Sequence, residues 1–224
     1  FINKKKRYAL SVIDMEGVRY AEPHLKIMGL EVIKSSTPEG VREPLREIIK
    51  ILLYKTREDL VNYIDNFRIE FNKMPADMIA MNSKVSNINK YSPEGLRGLL
   101  NERNEKEVKK SEDNPDYKIR NITKVAIPIN SKAAMNFNKL VDELNIDTRK
   151  IEQGDKIKMV YLLPNPYNIE IIGFINYLPK ELGLEQYIDY GRQFERVFKD
   201  NVKNITDDFN FNLDIPYTLD DIFD

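Results

Sequence analysis

The stretch from Tyr8 to Ala21 leaves this chain little conformational choice. Tyr8-Ala9-Leu10-Ser11-Val12-Ile13 alternates in the manner of a strand, Glu16-Gly17 offers a two-residue turn, and Val18 to Ala21 runs back. That pattern predicts a β-hairpin within residues 8–28, with Pro23 ending its pairing. Leu25 to Leu30 then carries the chain into a new region.

The hairpin is entered through a basic cluster, Lys4-Lys5-Lys6-Arg7-Tyr8. Three adjacent lysines repel one another, so the cluster suits a polyanion opposite it; a solvated basic patch accounts for it equally well. Strand alternation puts Lys6 and Tyr8 on one face. Both are donors, and the minor groove offers acceptors at similar places on every base pair. Donors of this kind would hold duplex without reading its sequence. Lys34 followed by Ser35-Ser36-Thr37 at a helix start is a second candidate anion site, and Ser131-Lys132 repeats the arrangement at another helix start. Hydroxyls of this kind also cap ordinary helices.

Net charge is −1, which conceals an asymmetry. Residues 1–50 hold ten Lys and Arg against seven Asp and Glu, whereas residues 200–224 hold one Lys against seven Asp. One end attracts phosphate and the other repels it. At 224 residues the chain is long enough for one or two cores. It has no cysteine, which excludes disulfides and thiolate metal sites and suits a reducing compartment. No apolar run approaches the ~18 residues of a membrane span, and no signal peptide is visible. The chain begins at Phe1, and its first residues read as the edge of an element, which points to a fragment or one half of a split protein.

Beyond the hairpin the pattern turns helical. Ser35 to Glu39 reads as a helix start with Pro38 at the first helical position, and Leu45, Ile48, Ile49, Leu52 and Leu53 follow at helical spacing. Gly40 and Pro44 weaken the first turns. Thr56-Arg57-Glu58-Asp59 resembles a capping box with Asp in the Glu position, before a stripe of Leu60, Ile64, Phe67 and Phe71. The two helices are expected to form an antiparallel pair. Residues 82–92 are polar, and residues 93–118 read as a charged surface excursion. Short strands are predicted at Val125–Ile129, Lys156–Leu163 and Ile169–Ile175, a helix from Ser131 through Leu144, and a long helix from Pro179 through Phe198.

Catalytic groups are sparse. His24 is the one histidine and reads as a loop residue; Asp14 and Glu16 read as turn-formers in solvent. No catalytic or metal-binding residue is predicted. The end is different: Leu219, Ile222 and Phe223 form one helical-turn face among acidic residues, separated from the body by Pro216. A short apolar peptide in that setting suits a hydrophobic groove on a partner.

The strings KKRYAL, DMEG, RYAEPHLKIMGLE and KSSTP (residues 5–38) resemble the family B DNA polymerases of T-even-type bacteriophages, at the last palm strands and the entry to the thumb. IPINSKAAMNFNKL, GDKIKMVYL, PNPYNIEIIGF and LPKELGLEQYIDYGRQFE are similar to thumb segments, and TLDDIFD is similar to the C-terminal peptide that docks on the sliding clamp. The resemblance implies an α+β chain: a small palm-derived hairpin (1–30), a mainly helical thumb with a few strands (31–210) and a flexible clamp-binding tail (211–224). It implies duplex contacts from Lys6 and Tyr8, with Lys5 supporting them, and from Lys34, Ser35, Ser36, Thr37, Ser131 and Lys132. It implies clamp contacts from Leu219, Ile222 and Phe223. Gly40 and Pro44 stand where relatives carry better helix formers, which leaves the first thumb helix boundary open. The family's metal-binding aspartates fall upstream of Phe1. The expected cofactor, Mg2+, therefore lies in the palm of the complete enzyme and not in this chain. Expected partners are primer–template DNA, the sliding clamp and the remaining N-terminal part of the polymerase, in the cytoplasm of an infected bacterial host. A free-standing DNA-binding or clamp-binding accessory module is the alternative.

Overall fold

The predicted hairpin forms and is longer than expected. In a computed structural model describing residues 2–4, 6–114 and 116–209, β1 (Ile2–Lys4), β2 (Arg7–Met15) and β3 (Val18–Met28) make an antiparallel sheet in the order β1-β2-β3. The β2–β3 turn works because Glu16 (φ 55°) and Gly17 (φ 82°) both adopt left-handed backbone, the requirement of a tight two-residue hairpin. Pro23 does not end the pairing. The register shifts between Val12, opposite His24, and Asp14, opposite Arg19, so Pro23 lies in a bulged stretch where no ladder donor is needed. Pairing resumes to Met28, opposite Tyr8.

The chain divides into two units, Phe1–Asn82 with Asp189–Asp224, and Ser83–Ile188. In the first, α1 (Glu39–Tyr54) starts after Pro38, without a side-chain cap, and runs on through Pro44. Gly40 serves a close approach: a Cβ on it would stand 2.9 Å from the Met78 carbonyl oxygen and 3.0 Å from Met74 Sδ. The capping box at Thr56 and Asp59 forms as read and starts α2 (Arg57–Phe71). The short α3 (Ala76–Ile79) follows.

The rest of this unit's core comes from the end of the described chain. The predicted start at Pro179 is wrong for that helix. Gly183 takes a left-handed conformation (φ 62°) between two single 3-10 turns, and Ile188 makes a bridge with Leu162. The helix begins only at Tyr190, capped by the Asp189 side chain. α6 (Tyr190–Phe194), a π turn (Glu195–Lys199) and α7 (Asp200–Asp208) then follow without a break. Phe67, Phe71, Phe194 and Phe198 interlock, with ring centroids 4.6 Å apart for Phe67–Phe198 and 5.1 Å for Phe71–Phe194. Each such side chain contributes about 1.5–3 kcal/mol by leaving water. Buried Gln193 donates to the Ile79 carbonyl at 2.8 Å.

A second sheet, of order β4-β5-β6, is built from β4 (Met81–Lys84), β5 (Lys156–Tyr161) and β6 (Ile171–Phe174). All four β6 residues are buried. The charged stretch after residue 92 lies at the surface as expected, but it is helical. Pro93–Asp113 is a 21-residue helix, α4, with the Ser92 hydroxyl accepting from the Gly95 amide. Its buried Glu107 accepts from Lys110 and from the Tyr117 hydroxyl at 2.6 Å. The Asn104 side chain accepts from Ile122 N and donates to Ile122 O, pinning the following segment. The strand predicted at Val125–Ile129 does not form; Ile129 is the first residue of α5 (Ile129–Glu143).

Candidate nucleic-acid interface

At the base of the hairpin the fold joins two stretches that looked separate in sequence. Lys6 occupies the turn that precedes β2 and is exposed, rather than standing in the strand itself. Tyr8 is half-buried and pairs with Met28, the last residue of β3. The next residue, Gly29, has φ +70°, and a Cβ on it would lie 1.8 Å from the Lys6 carbonyl oxygen. Only glycine lets the chain pass so close to Lys6 while turning left-handed. Leu30 and the 3-10 turn Glu31–Ile33 follow, and then Lys34. The basic turn and the Lys34 stretch therefore share one corner.

Arg7 ties this corner together. Its guanidinium bonds Asp208 at the end of α7 through both Nε and an NH2 group. The same NH2 group reaches both oxygens of Glu31 at 3.4 Å. Glu31 is almost completely buried and also pairs with Lys34 at 2.7 Å. The Asp208 bond holds the Arg7 pKa above its ordinary value, although partial burial works the other way.

Within the ladder, directly opposed residues share a face. Tyr8 with Met28, Leu10 with Lys26 and Val12 with His24 occupy one face; Ala9 with Ile27 and Ser11 with Leu25 occupy the other, where Ala9 is fully buried. Alternation sets Arg7 with Ala9, away from Tyr8. Lys26 lies on the Tyr8 face and escaped the sequence reading, because its register is set by pairing and not by local pattern. The His24 ring does not lie in a loop: it stands in β3 and stacks on Tyr20 with centroids 5.5 Å apart. Asp14 and Glu16 are exposed at the far end of the hairpin.

The remaining candidates divide by environment. Ser35 and Ser36 are exposed. Thr37 is buried, and its hydroxyl donates to the Glu31 carbonyl at 2.6 Å, so it shapes the turn and is not presented to a ligand. Asn82 steadies the same loop by donating to the Ser35 carbonyl at 3.3 Å. In the second unit Ser131 is buried and donates to the Ser86 carbonyl at 3.2 Å, again a structural use of the hydroxyl. Lys132 is exposed and pairs with Glu170 at 3.3 Å. Lys5, Leu219, Ile222 and Phe223 lie outside the described residues. Among the described residues no group of three or more His, Cys, Asp or Glu side chains is arranged to hold a metal ion, and no helix is long and apolar enough to cross a membrane.

The chain, a basic turn braced on an otherwise mainly helical body, is similar to a C-terminal part of the T4-type phage family B DNA polymerases. It is 33% identical over 233 residues to the DNA-directed DNA polymerase of Escherichia phage RB69. It is 29% identical over 228 residues to that of Enterobacteria phage T4. Both alignments cover the whole of this chain, which spans 22% of the length of each relative. No family model matches it.

Proposed function

We propose that this chain is the duplex-holding, clamp-tethered portion of a replicative DNA-directed DNA polymerase. In this reading residues 1–30 are the end of the palm, residues 31–210 the thumb, and residues 211–224 a tail that docks on a sliding clamp. The observation that carries it is the corner where Lys6, Tyr8 and Lys34 are brought together by the Arg7–Glu31 pair in a chain related along its whole length to such enzymes. Lys6 and Tyr8 present donors to acceptors that every base pair carries in the minor groove. Lys34 and Lys132, each about half exposed at its side chain, neutralise phosphates. In this reading nucleotidyl transfer and its Mg2+ belong to the remaining N-terminal part of the enzyme, and both would act in the cytoplasm of an infected bacterial host.

Filter-binding of a primer–template duplex at several salt concentrations tests this. The logarithm of affinity should fall linearly with the logarithm of salt, and Lys34→Ala should flatten that slope by about 0.9. Lys6→Ala should weaken binding about tenfold, the loss of one good groove contact. Salt-independent or undetectable duplex binding would defeat the proposal and leave a module that binds the clamp alone.

A further inference from the structure

We propose that Arg7 is a positioning residue: its clamp on Asp208 and Glu31 sets the pose of the hairpin base, and thereby where Lys6 and Tyr8 point. The inference rests on the duplex-holding reading above and concerns how that site is built. In the sequence Arg7 is one more cation in a basic run. In the fold it is turned against two acids, on the side opposite Tyr8. Its planar fork spans both carboxylates, a geometry that a lysine ammonium cannot reproduce.

The partners come from separate elements, 24 and 201 residues away in the chain. Their side chains are 4% (Glu31) and 16% (Asp208) exposed. Pairs screened from water in this way hold geometry, unlike the solvent-exposed Glu43–Arg46 pair of α1 and Glu102–Lys106 pair of α4. Arg7 is engaged by two acids, Glu31 and Asp208, that outweigh its single charge, so it offers no net attraction of its own to a polyanion. What it offers is orientation. Because the Lys6 backbone lies hard against Gly29, the basic turn cannot shift without moving β2, and β2 is fixed through Arg7.

The test turns on a sign. Asp208→Asn removes a negative charge near a face that binds DNA. Long-range electrostatics alone would then leave affinity unchanged or tighten it. Positioning predicts the reverse. In anisotropy titrations of a fluorescein-labelled primer–template with the 224-residue chain, Asp208→Asn should bind about tenfold more weakly and Asp208→Glu should restore binding. Adding Asp208→Asn to Lys6→Ala should cost less than Asp208→Asn costs alone, because one of the two contacts being positioned is already gone. Equal or tighter binding by Asp208→Asn, or losses that multiply in the double variant, would overturn the inference. If circular dichroism shows Asp208→Asn to be unfolded, Arg7→Lys, which keeps the charge and loses the fork, takes its place with the same outcomes. A Lys6→Ala variant with wild-type affinity would sink the duplex-contact reading itself, and the positioning role with it. A weak Lys6→Ala beside a normal Asp208→Asn would remove the positioning role alone.

Discussion

Replacing Gly29 by alanine probes the corner through the backbone. Two costs add. Gly29 sits at φ +70°, where an L-residue is disfavoured by about 1–2 kcal/mol. The new Cβ would also stand 1.8 Å from the Lys6 carbonyl oxygen, 3.0 Å from its carbon and 3.2 Å from Arg7 Cγ. Two of these neighbours are backbone atoms, which cannot swing aside, so the turn before β2 must move; forced displacements of this kind cost a further ~1–3 kcal/mol. Gly17 is the natural control. Its φ is +82°, yet nothing lies within 4 Å of its would-be Cβ, so Gly17→Ala carries the conformational cost alone. Gly29→Ala should therefore be less stable than Gly17→Ala by about 2 kcal/mol, or roughly 4–8 °C in melting temperature for a chain of this size. Thermal melts, together with amide hydrogen exchange over residues 7–28, would measure the gap. Equal losses in the two variants would refute the claim that the Lys6 backbone is pressed against Gly29.

Two further outcomes are expected. The Glu107 carboxyl is held down to about 2, against an ordinary 4.5, by hydrogen bonds first from Lys110 and then from Tyr117; the stability it lends is complete above its ordinary value and is lost as the pH falls from there toward about 2. Melting curves of the wild type and Glu107→Gln should accordingly converge across that window, and a gap that stays constant would argue against the assignment. Deleting residues 219–224 from the assembled polymerase should shorten products made with the clamp while sparing extension without it, since tethering acts through effective concentration; unchanged product length would remove the tail's role.

The features legible in sequence were those decided by neighbouring residues. Glu16-Gly17 fixed its own turn, and Thr56 and Asp59 capped their own helix. Pro23 misled because a bulge excused its missing donor, which pairing geometry alone reveals. α4 was missed because few large apolar residues mark it. Ser92, the Glu102–Lys106 pair and the side-chain bonds of Asn104 and Glu107 hold it instead. The candidate site was legible only in part. Lys6, Tyr8 and Lys34 were proposed from local chemistry and are at least partly exposed, but Thr37 and Ser131 looked like available hydroxyls and proved to be internal donors. Arg7 could not be assigned, because one of its partners lies 201 residues away.

That separation bears on how the chain comes to be folded as it is synthesised. Residues 83–188 form a continuous stretch with most of the second sheet, so every residue they need has been made by the time Ile188 is added. The unit around the basic corner is split in sequence, and Phe194, Phe198 and Asp208 are among the last described residues to emerge. The later-starting unit can thus finish first, while the earlier one waits for its closing helix. Until that helix arrives, the surface meant for Phe67 and Phe71 has no lining, and the arginine at the root of the hairpin lacks its farther acid.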